Sequence, residues 1–176
     1  MVVNDQVRDF EQVVVSHLDA AYNLARWLVR NDHDAEDVMQ EAIVRAFRFF
    51  DRLKAENPRA WLLKIVRNSA YTFLRQNRAG ELGTEFDDEL HADAADPGCS
   101  PETPEALLLR SAQQRFLNQA VDALPVEFRE AFVLREVEAL SYKEIADMAR
   151  VPIGTVMSRL SRARRRLQTA LARYRG

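Results

Sequence analysis

The chain has 176 residues, of which 47% are hydrophobic, and its 25 basic and 27 acidic side chains leave a net charge of -2. A single cysteine, Cys99, excludes an intramolecular disulfide and a closed Cys-rich zinc site, and no apolar run approaches the ~20 residues that cross a bilayer. The amino terminus lacks a basic start followed by an apolar core. We therefore expect a cytoplasmic protein without direct membrane insertion. Five glycines among abundant Ala, Leu, Glu and Arg predict an all-α fold.

The charges are divided into blocks along the chain. Residues 1–78 carry 12 basic and 11 acidic side chains. Residues 79–105 carry no basic and nine acidic side chains, and residues 106–176 carry 13 basic and seven acidic ones. Residues 59–78 hold five basic side chains and no acid, and residues 150–176 hold eight arginines and no acid. Two basic surfaces therefore flank an acidic connector.

Three helices are predicted in residues 1–78 from apolar spacings of three and four. The first covers about 5–30, the second begins near Asp34, which can cap it, and the third follows Asn57-Pro58, a good cap and first-turn pair. The expected apolar faces are Phe10, Val13, Val14, Ala21, Leu24, Ala25 and Leu28; Val38, Ala42, Ile43, Ala46 and Phe50; and Trp61, Leu62, Ile65, Val66, Phe73 and Leu74.

Residues 79–104 concentrate acid, Gly and Pro without apolar periodicity, which is typical of a flexible linker. Repulsion among its carboxylates predicts an extended connector, so the flanking segments can sit far apart unless a partner orders it. The chain is thus divided into a domain at 1–78, a linker at 79–104 and a domain at 105–176.

The second domain is predicted to contain a helix-turn-helix. Its first helix starts after Thr103 and carries Leu107, Leu108, Phe116, Leu117 and Val121, and its second helix continues to about Leu140. Ser141 and Glu144 form a capping box that opens a short helix over 142–149, before a break at 150–152 and a long final helix over about 153–173.

The final helix separates into two faces. Ile153, Val156, Leu160, Ala163 and Leu167 form the expected core side, facing Ile145, Ala146 and Val151. Thr155, Ser158, Arg159, Arg162, Arg165 and Arg166 form the opposite side, whose guanidiniums can pair with guanine or phosphate. DNA is the expected ligand, and a solvated arginine-rich helix is the alternative.

Three motifs narrow the class of DNA-binding protein. Residues 34–47, DAEDVMQEAIVRAF, closely resemble region 2.2 of bacterial extracytoplasmic-function (ECF) sigma factors, the helix that docks on the polymerase clamp. Residues 58–68, PRAWLLKIVRN, resemble that family's promoter-melting region, and residues 152–164, PIGTVMSRLSRAR, resemble its region 4.2 recognition helix. The resemblance covers about 8–78 and 106–172.

The resemblance implies a sigma factor that binds core RNA polymerase, directs it to promoters and helps to melt them. Its first domain, region 2, would bind core polymerase and the minus-10 element, and its second, region 4, the minus-35 element. The implied partners are core RNA polymerase, through the clamp of its largest subunit and the flap of its second, promoter DNA, and an anti-sigma factor.

The implied sites fall into three groups. The core polymerase-binding residues are Asp34, Asp37, Gln40, Glu41 and Arg45. The minus-10 residues are Arg52, Asn57, Arg59, Lys64, Arg67, Asn68, Tyr71 and Arg75, with Arg75 and Arg78 expected to grip phosphate. The minus-35 residues are Thr155, Met157, Ser158, Arg159, Ser161, Arg162, Arg165 and Arg166.

Some assignments stay open. Met157 and Ser161 depart from the basic and larger residues common in the family, so the minus-35 sequence should differ from that of well-matched relatives. Trp61 is expected to pack in the core, Phe47 at the core or an interface edge, and Tyr71 could stack on a base or be partly buried.

Other classes of function are less well supported by the residues. No metal-ligand spacing of histidines and no phosphate-binding glycine loop occurs, so we expect no enzyme, cofactor or metal site. Cys99 has no basic neighbour that would activate it as a redox switch. The alternatives are a helix-turn-helix regulator that acts without core polymerase and a sigma-like decoy that binds an anti-sigma factor.

Overall fold

The computed structural model describes residues 2–53, 57–78 and 104–175, and describes side chains for 5–51, 53, 57–78 and 108–174. The described residues contain helices and turns and no strand, which confirms the all-α prediction. The predicted linker at 79–104 lies outside the described residues except for Pro104. No described helix is long and apolar enough to cross a membrane.

The amino-terminal domain consists of α1 (Val2–Val29), α2 (Asp32–Phe49), a 3-10 turn (Phe50–Arg52) and α3 (Pro58–Asn77). The predicted cap of α3 is confirmed, because the Asn57 side chain accepts the Ala60 N–H at 3.1 Å. The predicted cap of α2 is wrong. Asn31 accepts the Asp34 N–H at 3.0 Å, and the Asp34 carboxylate instead accepts from Arg78.

The three helices pack around one apolar core. The buried residues include most of the predicted faces, while Val13, Ile43, Phe50, Ile65 and Phe73 are half-buried at their edges. Trp61 is half-buried as well, with its ring centroid 6.3 Å from that of Phe50 in an edge-on arrangement. Phe47 is exposed on one side and meets Phe10 edge-on at 5.1 Å.

The carboxy-terminal domain consists of α4 (Pro104–Asp122), α5 (Val126–Phe132), a π-helical turn (Val133–Val137), α6 (Tyr142–Ala149) and α7 (Ile153–Arg175). The helix predicted to reach Leu140 ends earlier as an α-helix, because the Glu138 N–H bonds to the Val133 carbonyl five residues back, at 3.0 Å. The chain leaves this turn through Ala139, whose φ is 55°.

Two predicted core positions lie on the surface. Val156, Leu160, Ala163 and Leu167 of α7 are buried as predicted, but Ile153 is 44% exposed because it lies in the first turn of the helix, before the part that packs against α5 and α6. Leu108, near the start of α4, is 66% exposed.

The two domains lie against each other, with α1 contacting α5 and the π-helical turn. Arg129 of α5 is fully buried and donates to the Leu28 carbonyl at 3.0 Å, as well as to the Asp122 and Leu124 carbonyls. Helices leave their last carbonyls without an internal partner, so this arginine satisfies the end of α1 from the other domain. The sequence allowed the two segments to sit far apart, and in this structure they are in contact.

Candidate nucleic-acid and polymerase surfaces

The predicted helix-turn-helix is present in the carboxy-terminal domain. Ser141 accepts the Glu144 N–H at 3.1 Å, and the Glu144 carboxylate accepts the Ser141 N–H at 2.8 Å, so the capping box opens α6 as predicted. This hydrogen bond from the Ser141 backbone is the main reason that the pKa of Glu144 is lowered. Arg150 ends α6 in the left-handed region with φ 56°, and the chain turns into α7.

The solvent side of α7 forms a surface that we call the recognition face. Met157, Ser158, Ser161, Arg162, Arg165 and Arg166 are exposed there. Thr155 and Arg159 are half-buried, and Arg159 lies 4.0 Å from Glu127 of α5. The described residues of α7 include no acid, so a cationic surface is open to an anionic ligand.

Four of the candidate melting residues on and before α3 differ from the recognition face, because acidic side chains of the carboxy-terminal domain bond to them. Arg59 donates to both the carboxylate and the backbone carbonyl of Glu138, at 2.5 and 2.8 Å. The Asn57 amide donates to the Glu144 carboxylate at 3.0 Å. The structure therefore brings these candidates together, but with acidic partners from the same chain.

Glu130 of α5 is the centre of this contact. Arg67 donates to its carboxylate at 2.5 Å, and the Tyr71 hydroxyl donates to it at 2.7 Å. The Arg67 guanidinium also lies 3.9 Å from the centre of the Tyr71 ring. Burial, followed by the neighbouring Glu130 charge, raises the pKa of Tyr71 well above its usual value. The phenol consequently stays protonated and donates its hydrogen bond.

The other minus-10 candidates are distributed around this contact. Lys64 and Asn68 are half-buried, and Arg75 is exposed. The Asn68 side-chain oxygen accepts from the Arg67 guanidinium at 3.4 Å. The side chain of Arg52 lies outside the described residues. Arg78, expected to grip phosphate, instead donates to Asp34 and to the Val29 carbonyl, which joins the ends of α1 and α3.

The polymerase-binding candidates lie on the outer side of α2. Asp37, Gln40 and Glu41 are exposed, and Asp34 and Arg45 are half-buried. Arg45 donates to Glu41 one helical turn away at 2.7 Å. Since neither domain covers Asp37, Gln40 or Glu41, this polar face is available to a protein partner.

Sequence reasoning missed three residues of the interdomain contact: Arg129, Glu130 and Glu138. Glu130 is 1% exposed and Glu138 4% exposed, and burial is the main cause of the raised pKa of Glu138, which Arg59 opposes. A signal was available for the first two. Arg129 and Glu130 are adjacent in 126–134, six of whose nine residues are apolar, and charged side chains are seldom buried without a partner.

Comparison with known families agrees with this arrangement. Residues 13–80 match the family model "Sigma-70 region 2", and residues 117–167 match "Sigma-70, region 4". The ECF RNA polymerase sigma factor SigE of Mycolicibacterium smegmatis is 35% identical over 94% of this chain, which spans 62% of that relative. The RNA polymerase sigma-H factor of Pseudomonas aeruginosa is 31% identical over 93% of this chain and 86% of its own length.

Two solved structures share the fold. The sigma factor RpoE from Bartonella quintana, in complex with the anti-sigma factor NepR, aligns with a TM-score of 0.74 at 28% identity, over 94% of this chain and 98% of that one. CnrH, in complex with the cytosolic domain of CnrY, aligns with a TM-score of 0.62 at 26% identity, over 94% and 88%. The chain belongs to the ECF class of RNA polymerase sigma factors.

Proposed function

We propose that this sigma factor binds core RNA polymerase, brings it to specific promoters and assists their melting. The observation that carries the proposal is the pair of outward surfaces on separate domains: the polar face of α2 and the cationic recognition face of α7. A duplex reader on one domain and a protein-docking face on the other suit a factor that connects polymerase to promoter DNA.

The proposed division of labour follows the two domains. Residues 1–78 bind the polymerase clamp through Asp34, Asp37, Gln40, Glu41 and Arg45 and engage the minus-10 element. Residues 105–176 bind the polymerase flap and read the minus-35 element, with Arg162 as the leading base or phosphate contact. The acidic residues 79–104 connect the two domains. Neither domain is proposed to have a catalytic role.

The proposed minus-10 surface consists of the basic and polar residues around α3. Arg67, Asn68 and Tyr71 are the strongest candidates for the displaced strand, because a guanidinium, an amide and a phenol can hold a phosphate, a base edge and a base face. Arg52, Asn57, Arg59, Lys64 and Arg75 complete the surface.

The proposed regulator is an anti-sigma factor, since both solved relatives are bound to one or to a cytosolic domain of a second protein. We place the protein in the cytoplasm, where polymerase and promoter DNA are found. A helix-turn-helix regulator would need no polymerase, and a decoy would bind the anti-sigma factor without directing transcription.

One experiment separates these functions. The purified chain is added to core polymerase of the bacterium that encodes it, and run-off transcripts from fragmented genomic DNA are mapped at their 5′ ends. The proposal predicts a discrete set of starts that core polymerase alone does not produce. Tight duplex binding by the chain with no new starts would assign it to the regulators instead.

A further inference from the structure

Four residues of the proposed minus-10 surface have an acidic partner in the carboxy-terminal domain. Arg59 pairs with Glu138, Arg67 and Tyr71 with Glu130, and Asn57 with Glu144. These contacts join residues 59 to 87 positions apart in the chain. Half of the eight residues proposed for the minus-10 surface are therefore bonded to the other domain.

The acidic partners resemble the ligand that they displace. A carboxylate presents two oxygens to a guanidinium as a phosphate does, and paired N–H groups recognise both in the same geometry. Arg67 reaches both Glu130 oxygens, at 2.5 and 3.4 Å, while Tyr71 donates to one of them. A nucleic-acid strand and Glu130 therefore cannot occupy this site together.

The contact is also expensive to open without a replacement ligand. Arg67 and Glu130 are both largely buried, with side-chain exposures of 15% and 1%. Separating a buried pair leaves each charge without compensation, so opening is favoured when another anion takes up the arginine. By contrast, the recognition face of α7 is open in the same structure, so minus-35 contacts do not require this opening.

We propose that Glu130 and Glu138 form a carboxylate latch that closes the two domains over α3 and withholds Arg59 and Arg67 from single-stranded DNA. The latch rests on the proposed function, since it gives the minus-10 surface an inhibitor within the chain. Opening exchanges Glu130 and Glu138 for strand phosphates. In the free protein the latch is closed, so the recognition face of α7 can bind duplex DNA while Arg59 and Arg67 are held by carboxylates.

Closure can be measured directly with one spin label on each domain. Cys99→Ser removes the single native cysteine, and Ser16→Cys and Gln168→Cys place labels at exposed sites on α1 and α7. Double electron–electron resonance should give one short, narrow distribution of distances between the two labels. Glu138→Gln and Glu130→Gln should shift the population to longer and broader distances.

Glu136→Gln is the matched control. Glu136 lies in the same segment and has the same charge, but it pairs at 2.5 Å with Arg164 inside the carboxy-terminal domain. It should leave the distances unchanged. Glu138→Gln is the primary variant, because Glu130→Gln changes a more deeply buried group. Circular dichroism establishes that each variant is folded. Unchanged distances in folded Glu138→Gln and Glu130→Gln would overturn the latch.

The second readout is affinity of the full chain for a fluorescent single strand of about 12 nucleotides of mixed sequence. Glu138→Gln should strengthen binding by about fivefold or more, and Glu136→Gln by less than about twofold, which accounts for the shared loss of one negative charge. Equal gains in the two variants would overturn the masking role. Run-off transcription by holoenzyme reports separately on the sigma function: its absence alongside longer label distances would reject that function and retain the latch.

Discussion

The two surfaces proposed to bind DNA differ in their access to solvent. On α7 the recognition face carries its arginines in the open, with Arg162, Arg165 and Arg166 exposed. On α3 the guanidiniums of Arg59 and Arg67 are bonded to carboxylates of the other domain. Basic composition is similar in both segments, so the difference comes from tertiary packing. The charge pattern of the sequence therefore indicates which segments can bind DNA. The tertiary structure shows which of their arginines are exposed to solvent.

The largest expected effect comes from Arg129→Ala, which removes the buried side chain that links the domains. Three carbonyls, those of Leu28, Asp122 and Leu124, lose a charged donor, and a cavity forms. We expect a loss of about 3 kcal/mol or more in the free energy of unfolding. Urea denaturation followed by circular dichroism measures this loss.

Arg166→Ala serves as the control for that prediction. This arginine is exposed and lies 5.5 Å over the Phe128 ring, so its loss should change the free energy of unfolding by only about 0.5 kcal/mol. A similar loss in both variants would mean that Arg129 does not hold the domains together.

The open surface is tested by Arg162→Ala, which should weaken binding to a duplex minus-35 element by about 1–3 kcal/mol, because an exposed guanidinium is lost from the groove-facing side. Filter binding by holoenzyme measures the change. Arg173→Ala removes the same charge from the last turns of α7 and should have little effect. Equal losses in these two variants would indicate attraction by net charge alone.

The face of α2 that is proposed to bind polymerase is tested by Asp37→Ala and Gln40→Ala. Each should weaken core polymerase binding by about tenfold, since both side chains are exposed on the side that neither domain covers. Duplex affinity of the free chain should stay unchanged. Surface plasmon resonance against core polymerase gives the affinity, with Glu36→Ala as a neighbouring exposed control. A duplex-binding loss as large as the core-binding loss would contradict the division between the domains.

The smallest expected effect is that of Ser141→Ala at the start of α6. The substitution removes the acceptor for the Glu144 N–H and should cost about 1 kcal/mol of stability. The lowered pKa of Glu144 means that its contribution is present near neutral pH and is lost as the pH falls through its folded-state pKa. Thermal unfolding at neutral and acidic pH should therefore show a loss of stability in wild type that is smaller in Glu144→Gln, which lacks the titrating carboxylate. An equal loss in wild type and Glu144→Gln would mean that the Glu144 carboxylate does not stabilise the start of α6.

Local features of the fold could be predicted from the sequence because they depend on nearby residues. The Asn57 cap, the Ser141–Glu144 capping box and the span of α6 each follow from short-range hydrogen bonding. The cap of α2 was misassigned because Asn31 and Asp34 are both capping residues three positions apart, and only the backbone decides between them.

The interdomain contact could not be predicted by the same reasoning. Glu130 and Arg67 are 63 positions apart, and neither residue type nor spacing specifies which partner a charged side chain meets across two domains. Ile153 shows the same limit, since its periodicity is that of the core but packing on α7 begins one turn later. The sequence therefore suggested candidate residues but could not predict their accessibility.

The most direct test of the central claim is permanganate reactivity of thymines at a promoter identified by run-off transcription. We predict that the chain with core polymerase makes thymines near the minus-10 element reactive, whereas core polymerase alone and the free chain do not. Reactive thymines with the free chain alone, or none with the two combined, would contradict the account of a sigma factor that melts promoters only together with core polymerase.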